Sequence, residues 1–205
     1  MQTLADMMTS TNIDALNEFI DAHYPYDLDK FVFPNIDTEF KEFFMKNIPE
    51  ALSNLIHDDS YIVLRMVKPG STARNYEFHF DAYKETILVP LMGSEATLNG
   101  DLLIYKNARK TPQNIFVQVT QKFLYQNRLA LSFFKKPRNV KRFFNRISVK
   151  KGSIFIFDGV RCLHGNLPIT EGERRTVLIH NKKIFSRSFV TRCIEQYSQY
   201  KVSKK

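Results

Sequence analysis

The chain has 205 residues, 43% of them hydrophobic, a mean hydropathy of -0.30 and a formal charge of +9. That composition suits one soluble domain with a sizeable core, and no apolar run is long enough to span a bilayer. Its two cysteines, Cys162 and Cys193, show neither a CxxC pair nor a repeated spacing, and Met1 to Asp6 carries no basic stretch followed by an apolar one, so a cytoplasmic protein without a secretory signal is expected.

Residues 1–59 read as helical support. Ser10, Thr11 and Asn12 offer caps for a helix with Ile13, Leu16, Phe19 and Ile20 at helical spacing, limited by Pro25. A second helix is expected after Asp37-Thr38, with Phe40, Phe43, Phe44 and Ile48, and Pro49 marks a break before Ala51 to Ile56. From Tyr61 the texture becomes strand-like. Tyr61 to Val67 is β-rich and ends at the turn signal Pro69-Gly70-Ser71. Tyr76 to Asp81 alternates, Thr86 to Leu91 reads as a buried strand, and Leu102 to Tyr105 follows the turn Asn99-Gly100-Asp101. Ile115 to Val119, Ile154 to Phe157 and Arg175 to Ile179 are further strand expectations. Short strands with regular turn signals point to a mainly β jelly roll over residues 60–182, with helices packed outside and an extension over residues 183–205.

Between Lys106 and Lys151 there are thirteen cations and no acid, whereas the remainder has 17 cations against 21 acids. The whole basic excess therefore sits in one insert, about residues 106–151, interleaved with Phe116, Phe123, Tyr125, Phe133, Phe134, Phe143 and Phe144. Such a stretch is either a solubilising surface with tucked-in aromatics or a wall that attracts an acidic substrate or polyanion, through cations such as Lys135, Lys136, Lys141 and Arg142.

Three metal-ligand side chains stand out. In a strand, residues i and i+2 share a face, so His79 and Asp81 can reach one ion from one strand end while Phe80 turns into the opposite layer. His164, beyond the apolar strand Ile154 to Phe157 and the turn at Asp158-Gly159, is the candidate for the third ligand. Two histidines and one carboxylate suit a non-haem Fe(II) with open positions. Pro168 and Gly172 then turn the chain so that Arg174 faces the same pocket, where a guanidinium can grip a carboxylate by two parallel hydrogen bonds, with the Thr176 hydroxyl on the same face. Arg175 points the other way and reads as a surface charge, Cys162 as a small core residue, and His23, His57 and His180 as structural histidines.

Taken together, His79-Phe80-Asp81, Ile87 to Leu91, Asn99 to Tyr105, Lys151 to Asp158 and His164 to Thr176 resemble the iron- and 2-oxoglutarate-dependent dioxygenases, specifically their prolyl-4-hydroxylase-like branch. The resemblance implies a double-stranded β-helix, Fe(II) on His79, Asp81 and His164, 2-oxoglutarate on Arg174, and O2 as co-substrate. The presence of Asp81, a ligand that related halogenases lose, favours hydroxylation with release of succinate and CO2. The chain departs from the pattern in its long basic insert, and in having His180 where nucleic-acid demethylases of this superfamily have a second arginine. The expected substrate is an anionic small molecule or glycan. The competing readings are an oxygenase acting on protein or nucleic acid, and a non-catalytic jelly-roll module binding RNA or another polyanion.

Overall fold

The computed structural model describes residues 2–4, 8–24, 32–34, 36–69, 78–93 and 100–185. The readings at Pro25, Gly70, Ser71, Tyr76, Asn99, Cys193 and the basic tail lie outside these residues. In chain order the elements are β1 (Gln2–Leu4), α1 (Ser10–His23), β2 (Val32–Pro34), α2 (Thr38–Lys46), α3 (Glu50–Ser53), β3 (Tyr61–Val67), β4 (Tyr83–Met92) and β5 (Leu102–Tyr105). Then come α4 (Ile115–Gln126), α5 (Arg128–Lys135), α6 (Pro137–Phe143), β6 (Asn145–Ile147), β7 (Ile154–Asp158), β8 (Leu163–Asn166) and β9 (Arg174–Lys183).

Among the described residues the strands form a six-stranded sheet, ordered β1-β7-β4-β9-β3-β2, and a three-stranded sheet, ordered β6-β5-β8. All the pairings are antiparallel. The small sheet is extended by an isolated bridge between His79 and His164. Strand alternation sorts the large sheet into two faces. Ile62, Leu64, Met66, Ile87, Val89, Leu91, Ile154, Val177 and Ile179 turn outward and form one core with Ile13, Leu16 and Ile20 of α1 and Phe40 and Phe44 of α2. The opposite face contributes Leu88, Phe155 and Phe157 to a second core, against Leu102, Ile104 and Cys162 of the small-sheet side. The result is a jelly roll whose helical layer seals the outer face of the large sheet while its inner face packs on the small-sheet side.

Three sequence expectations change. The first sixty residues are not only helical, because β1 and β2 pair with β7 and β3 and cover the two edges of the large sheet. The first helix is capped by Thr9, whose side chain accepts from the Asn12 amide, so Ser10 to Asn12 lie inside it. Ile115 to Val119 is helical rather than extended. Asn114 caps α4 by accepting from the Val117 amide. The less exposed positions Gln118, Gln121, Lys122 and Tyr125 then recur at helical spacing. The run is apolar and partly β-branched, but it has a cap and no partner strand among the described residues, so the helix wins.

The basic insert is therefore largely three helices laid against the small sheet. Its inner side chains Phe134, Phe143, Phe144, Tyr125 and Leu131 pack on Phe78, Phe80 and Leu103. Arg175 does point away from the site, but it is buried rather than superficial. It donates to Asp21 (2.6 Å), to Glu173 (2.7 Å) and to the Asn17 carbonyl (3.2 Å), which ties β9 to α1.

Candidate metal centre

The segment around residue 80 shows why two ligands come from one short stretch. Phe78 and Phe80 are buried against the insert, while His79 and Asp81 alternate to the other side. The stretch is pinned by backbone bonds: His79 and His164 exchange amide–carbonyl bonds of 2.9 and 3.0 Å, and the Asp81 amide donates to the Gly159 carbonyl (2.9 Å). Those contacts bring three side chains that are distant in sequence together, with a ligand atom from each of His79, Asp81 and His164 lying within 4.8 Å of one another. One Asp81 oxygen lies 3.7 Å from His79 Nε2 and the other 3.6 Å from His164 Nε2. His164 and Asp81 are nearly enclosed, whereas the His79 side chain is 42% exposed, so the cluster opens on that side.

The surrounding hydrogen bonds orient each group. His164 Nδ1 lies 3.1 Å from the Cys162 carbonyl, which can only accept, so Nδ1 carries the proton in neutral His164 and the Nε2 lone pair faces Asp81. The Thr86 hydroxyl donates to the second Asp81 oxygen (2.6 Å). Having used its one proton, Thr86 accepts from His180 Nδ1 at 3.2 Å. A chain His180–Thr86–Asp81 thus fixes the carboxylate. Burial pushes the Asp81 carboxyl up, but His164, His180, His79 and the Thr86 hydroxyl together outweigh it and hold the group below the usual carboxylate range. Burial, with help from His164 and against Asp81, holds His180 below its ordinary value. Gly159 completes the seat: a Cβ there would lie 2.5 Å from both Asp81 Oδ2 and Thr86 Oγ1.

On the same wall, Arg174, Thr176, Leu178 and His180 alternate along β9, and Thr176 lies opposite Arg65 of β3. Arg174 is buried and donates to the Gly100 carbonyl (2.6 Å). Gly100 has φ 74°, and a Cβ there would crowd Ile169 and the Arg174 guanidinium. Burial, reinforced by the charge of Arg65, pushes Arg174 down to about 9, still cationic at neutral pH. A buried guanidinium and a half-buried one, with mutual repulsion, make this wall receptive to an anion.

Sequence reasoning missed several of these groups. His180, read as structural, belongs to the Asp81 surroundings; the parity with Arg174 and Thr176 along one strand was the available signal. Thr86 and Gly159 were read only as strand and turn. Arg109, buried beside the cluster, lies over the Phe80 ring (4.0 Å to its centroid), donates to the Val160 carbonyl (2.6 Å) and reaches Gln121 of α4 (3.3 Å). Its Nη2 is buried without a hydrogen-bond partner among the described residues. Lys122 of α4 is pushed down by burial, with Asp81 opposing and Arg109 reinforcing, so it lies within electrostatic reach of both. By contrast, Lys135, Lys136, Lys141 and Arg142 are exposed on α5 and α6 and in the turn between them.

No protein-family model matches the sequence, and no curated relative matches it. Solved structures do. A Pseudomonas putida prolyl-4-hydroxylase aligns over 90% of this chain and 92% of its own, with TM-score 0.52 and 13% identity. HygX from Streptomyces hygroscopicus with iron bound aligns over 90% and 83%, with TM-score 0.57 and 10% identity. EctD from S. alaskensis aligns over 88% and 72%, with TM-score 0.54 and 14% identity. The chain therefore has the jelly-roll fold that these proteins share.

Proposed function

We propose that this protein is an Fe(II)- and 2-oxoglutarate-dependent dioxygenase that hydroxylates a C–H bond of an anionic substrate. The observation that carries the reading is the meeting of His79, Asp81 and His164 at one end of the jelly roll, with buried Arg174 on the adjoining wall. The donor set fits a divalent iron: two neutral imidazole nitrogens and one carboxylate are a recognised facial ligand set. The His164 Nε2 lone pair faces a carboxylate oxygen at 3.6 Å, an arrangement that a cation between them relieves. A similar fold, HygX, has been solved with nickel and 2-oxoglutarate bound (TM-score 0.53, 12% identity).

His79, Asp81 and His164 would hold the iron, and Arg174 with Thr176 would hold the distal carboxylate of 2-oxoglutarate. When bound, that pair supplies the oxidative chemistry: with O2, 2-oxoglutarate is converted to succinate and CO2 and one oxygen atom enters the substrate as hydroxyl. The chain's own part is orientation and exclusion of water. Thr86 and His180 keep Asp81 ionised and aimed, the Cys162 carbonyl keeps the His164 lone pair directed inward, and Phe157 packs edge-on at 4.9 Å against the His164 ring as an apolar wall.

The anionic character of the substrate rests on Arg109 and Lys122. Arg109 is buried and Lys122 half-buried beside the cluster, and Arg109 Nη2 has no hydrogen-bond partner among the described residues. A carboxylated or phosphorylated small molecule, or an acidic glycan, would satisfy them. The exposed cations Lys135, Lys136, Lys141 and Arg142 would act at longer range, by attraction.

Succinate release across a panel of anionic compounds tests the reading. Asp81→Ala is expected to abolish it, and Arg174→Ala to raise the 2-oxoglutarate requirement at least tenfold. Arg109→Met is expected to raise substrate KM while leaving 2-oxoglutarate binding in place. Undiminished succinate in the Asp81 variant would refute the assignment.

A further inference from the structure

The large exposed apolar side chains found among the described residues are all in one place. Phe116, Val117, Val119, Phe123 and Leu124 of α4 and Leu129 and Phe133 of α5 are the set, and no other element contributes to it. The exposures are high: 75% for Phe116, 71% for Phe123 and 84% for Leu129. They follow helix geometry. Phe116, Val119 and Phe123 fall at i, i+3 and i+7, with Val117 and Leu124 flanking, while Gln118, Gln121, Lys122 and Tyr125 face the protein. Leu129 and Phe133 are one turn apart on α5. Asn127 ends α4 and caps α5, accepting from the Ala130 amide and donating to the Phe123 and Leu124 carbonyls, so one side chain joins the two helices that carry the set.

Charge identifies the occupant. The insert carries thirteen cations and no acid, and among its exposed cations Arg128, Lys135, Lys136, Arg138, Lys141 and Arg142 lie between the end of α4 and the end of α6. Residues 186–205 have five cations and one acid, so their charge has the same sign as the insert's and does not complement it. A second copy of this face would be repelled for the same reason. Nucleic acid would match the charge, but Val117, Val119, Leu124 and Leu129 offer aliphatic surface that bases do not stack on. Aliphatic and aromatic side chains on one helical face, bordered by cations, suit the boundary of an anionic bilayer, where the apolar groups enter the acyl region and the cations meet headgroups.

We propose that α4 and α5 form an interfacial docking face that seats the protein on an anionic lipid bilayer. The proposal does not rest on the oxygenase reading. Sedimentation of the full chain with phosphatidylcholine vesicles, with and without about 30% phosphatidylserine, is the test. Binding is expected only to the anionic vesicles, falling at least tenfold as salt rises from about 0.1 to about 0.5 M. Phe123→Ser combined with Leu129→Ser should lower the partition at least tenfold while leaving the far-UV circular dichroism and the melting temperature unchanged. Because both positions are exposed, loss of fold is not expected, and Phe116→Ser with Leu124→Ser gives an independent repeat. Equal partition of both double variants and the parent would overturn the proposal. So would absence of binding to the anionic vesicles, whether alone, with salt-sensitive retention on RNA, or with self-association that the substitutions abolish.

Discussion

Asp81 depends on neighbours that make no claim to chemistry of their own. Its carboxylate is reached by the Thr86 hydroxyl at 2.6 Å, and the Gly159 backbone comes so close that a methyl group would sit 2.5 Å from both Oδ2 and the Thr86 oxygen. Gly159 is needed there for space, since its chain path closes the turn that accepts the Asp81 amide. Gly159→Ala must push the carboxylate out of place, and in the proposed metal site a misplaced carboxylate would cost affinity. Thr86→Val keeps the volume but removes the donor to Asp81 and the acceptor for His180. Losing such a supporting contact typically weakens metal binding about 10- to 100-fold. Both variants are expected in that range by anaerobic Fe(II) titration, with Gly159→Ala the worse. Affinity unchanged in Thr86→Val would mean that Asp81 is oriented by its backbone alone. The four groups His79, Asp81, His164 and Arg174 were legible because each is a distinctive residue type in a strand-parity or turn context. Thr86, Gly159 and His180 were not, because their roles arise from cross-strand register: Thr86 lies opposite His180 on one side and Phe157 on the other. A single sequence does not state that register.

At the scale of elements, β3, β4, β5, β7 and β9 and the two long N-terminal helices were legible from periodicity and caps, the short strands β1, β2 and β6 were not, and the insert was only half so. Its charge and aromatic content were plain, but Ile115 to Val119 looked extended until the Asn114 cap and the partly covered positions of α4 set its true period. The insert also binds the element that carries two ligand candidates. Phe80 meets Tyr125 edge-on at 5.3 Å, and Phe78 stacks on Phe144 at 4.3 Å. Asn127 is the joint of this assembly, because one side chain serves the end of α4 and the start of α5. Replacing a helix-capping Asn by Ala costs about 1 kcal/mol. Asn127→Ala is therefore expected to speed amide exchange across α4 and α5 by roughly fivefold, since about 1.4 kcal/mol corresponds to a factor of ten. The strands of the large sheet should exchange as before. Faster exchange spread over β4 and β9 would show instead that the insert and the jelly roll open as one unit.

Over the whole molecule, the cluster places a cost on folding that a bound metal would remove. His79, Asp81 and His164 are gathered around one carboxylate, with His180 Nδ1 3.9 Å from its second oxygen, and His180 is held below its ordinary value by burial. An unfolded histidine titrates near 6.5. Between that value and the lower one of the folded state, the unfolded chain binds more protons, so stability falls as pH drops through the window. Asp81 acts in the same sense further down. Its folded value lies below the unfolded one, so its contribution is present above about 3.9 and is lost as pH falls through the folded value. The chelated protein should therefore melt at progressively lower temperature from about pH 7.5 to about pH 5.5, and His180→Asn should flatten that slope. Adding Fe(II) under nitrogen at about 100 times its Kd stabilises by about 2.7 kcal/mol. For a chain of this length that is a rise in Tm of roughly 5–10 °C. The rise should shrink toward pH 5.5 as protons compete for the imidazoles, and should vanish in Asp81→Ala. A metal-induced rise that survives in Asp81→Ala would place the ion somewhere else, and with it the oxidative chemistry assigned to this end of the jelly roll.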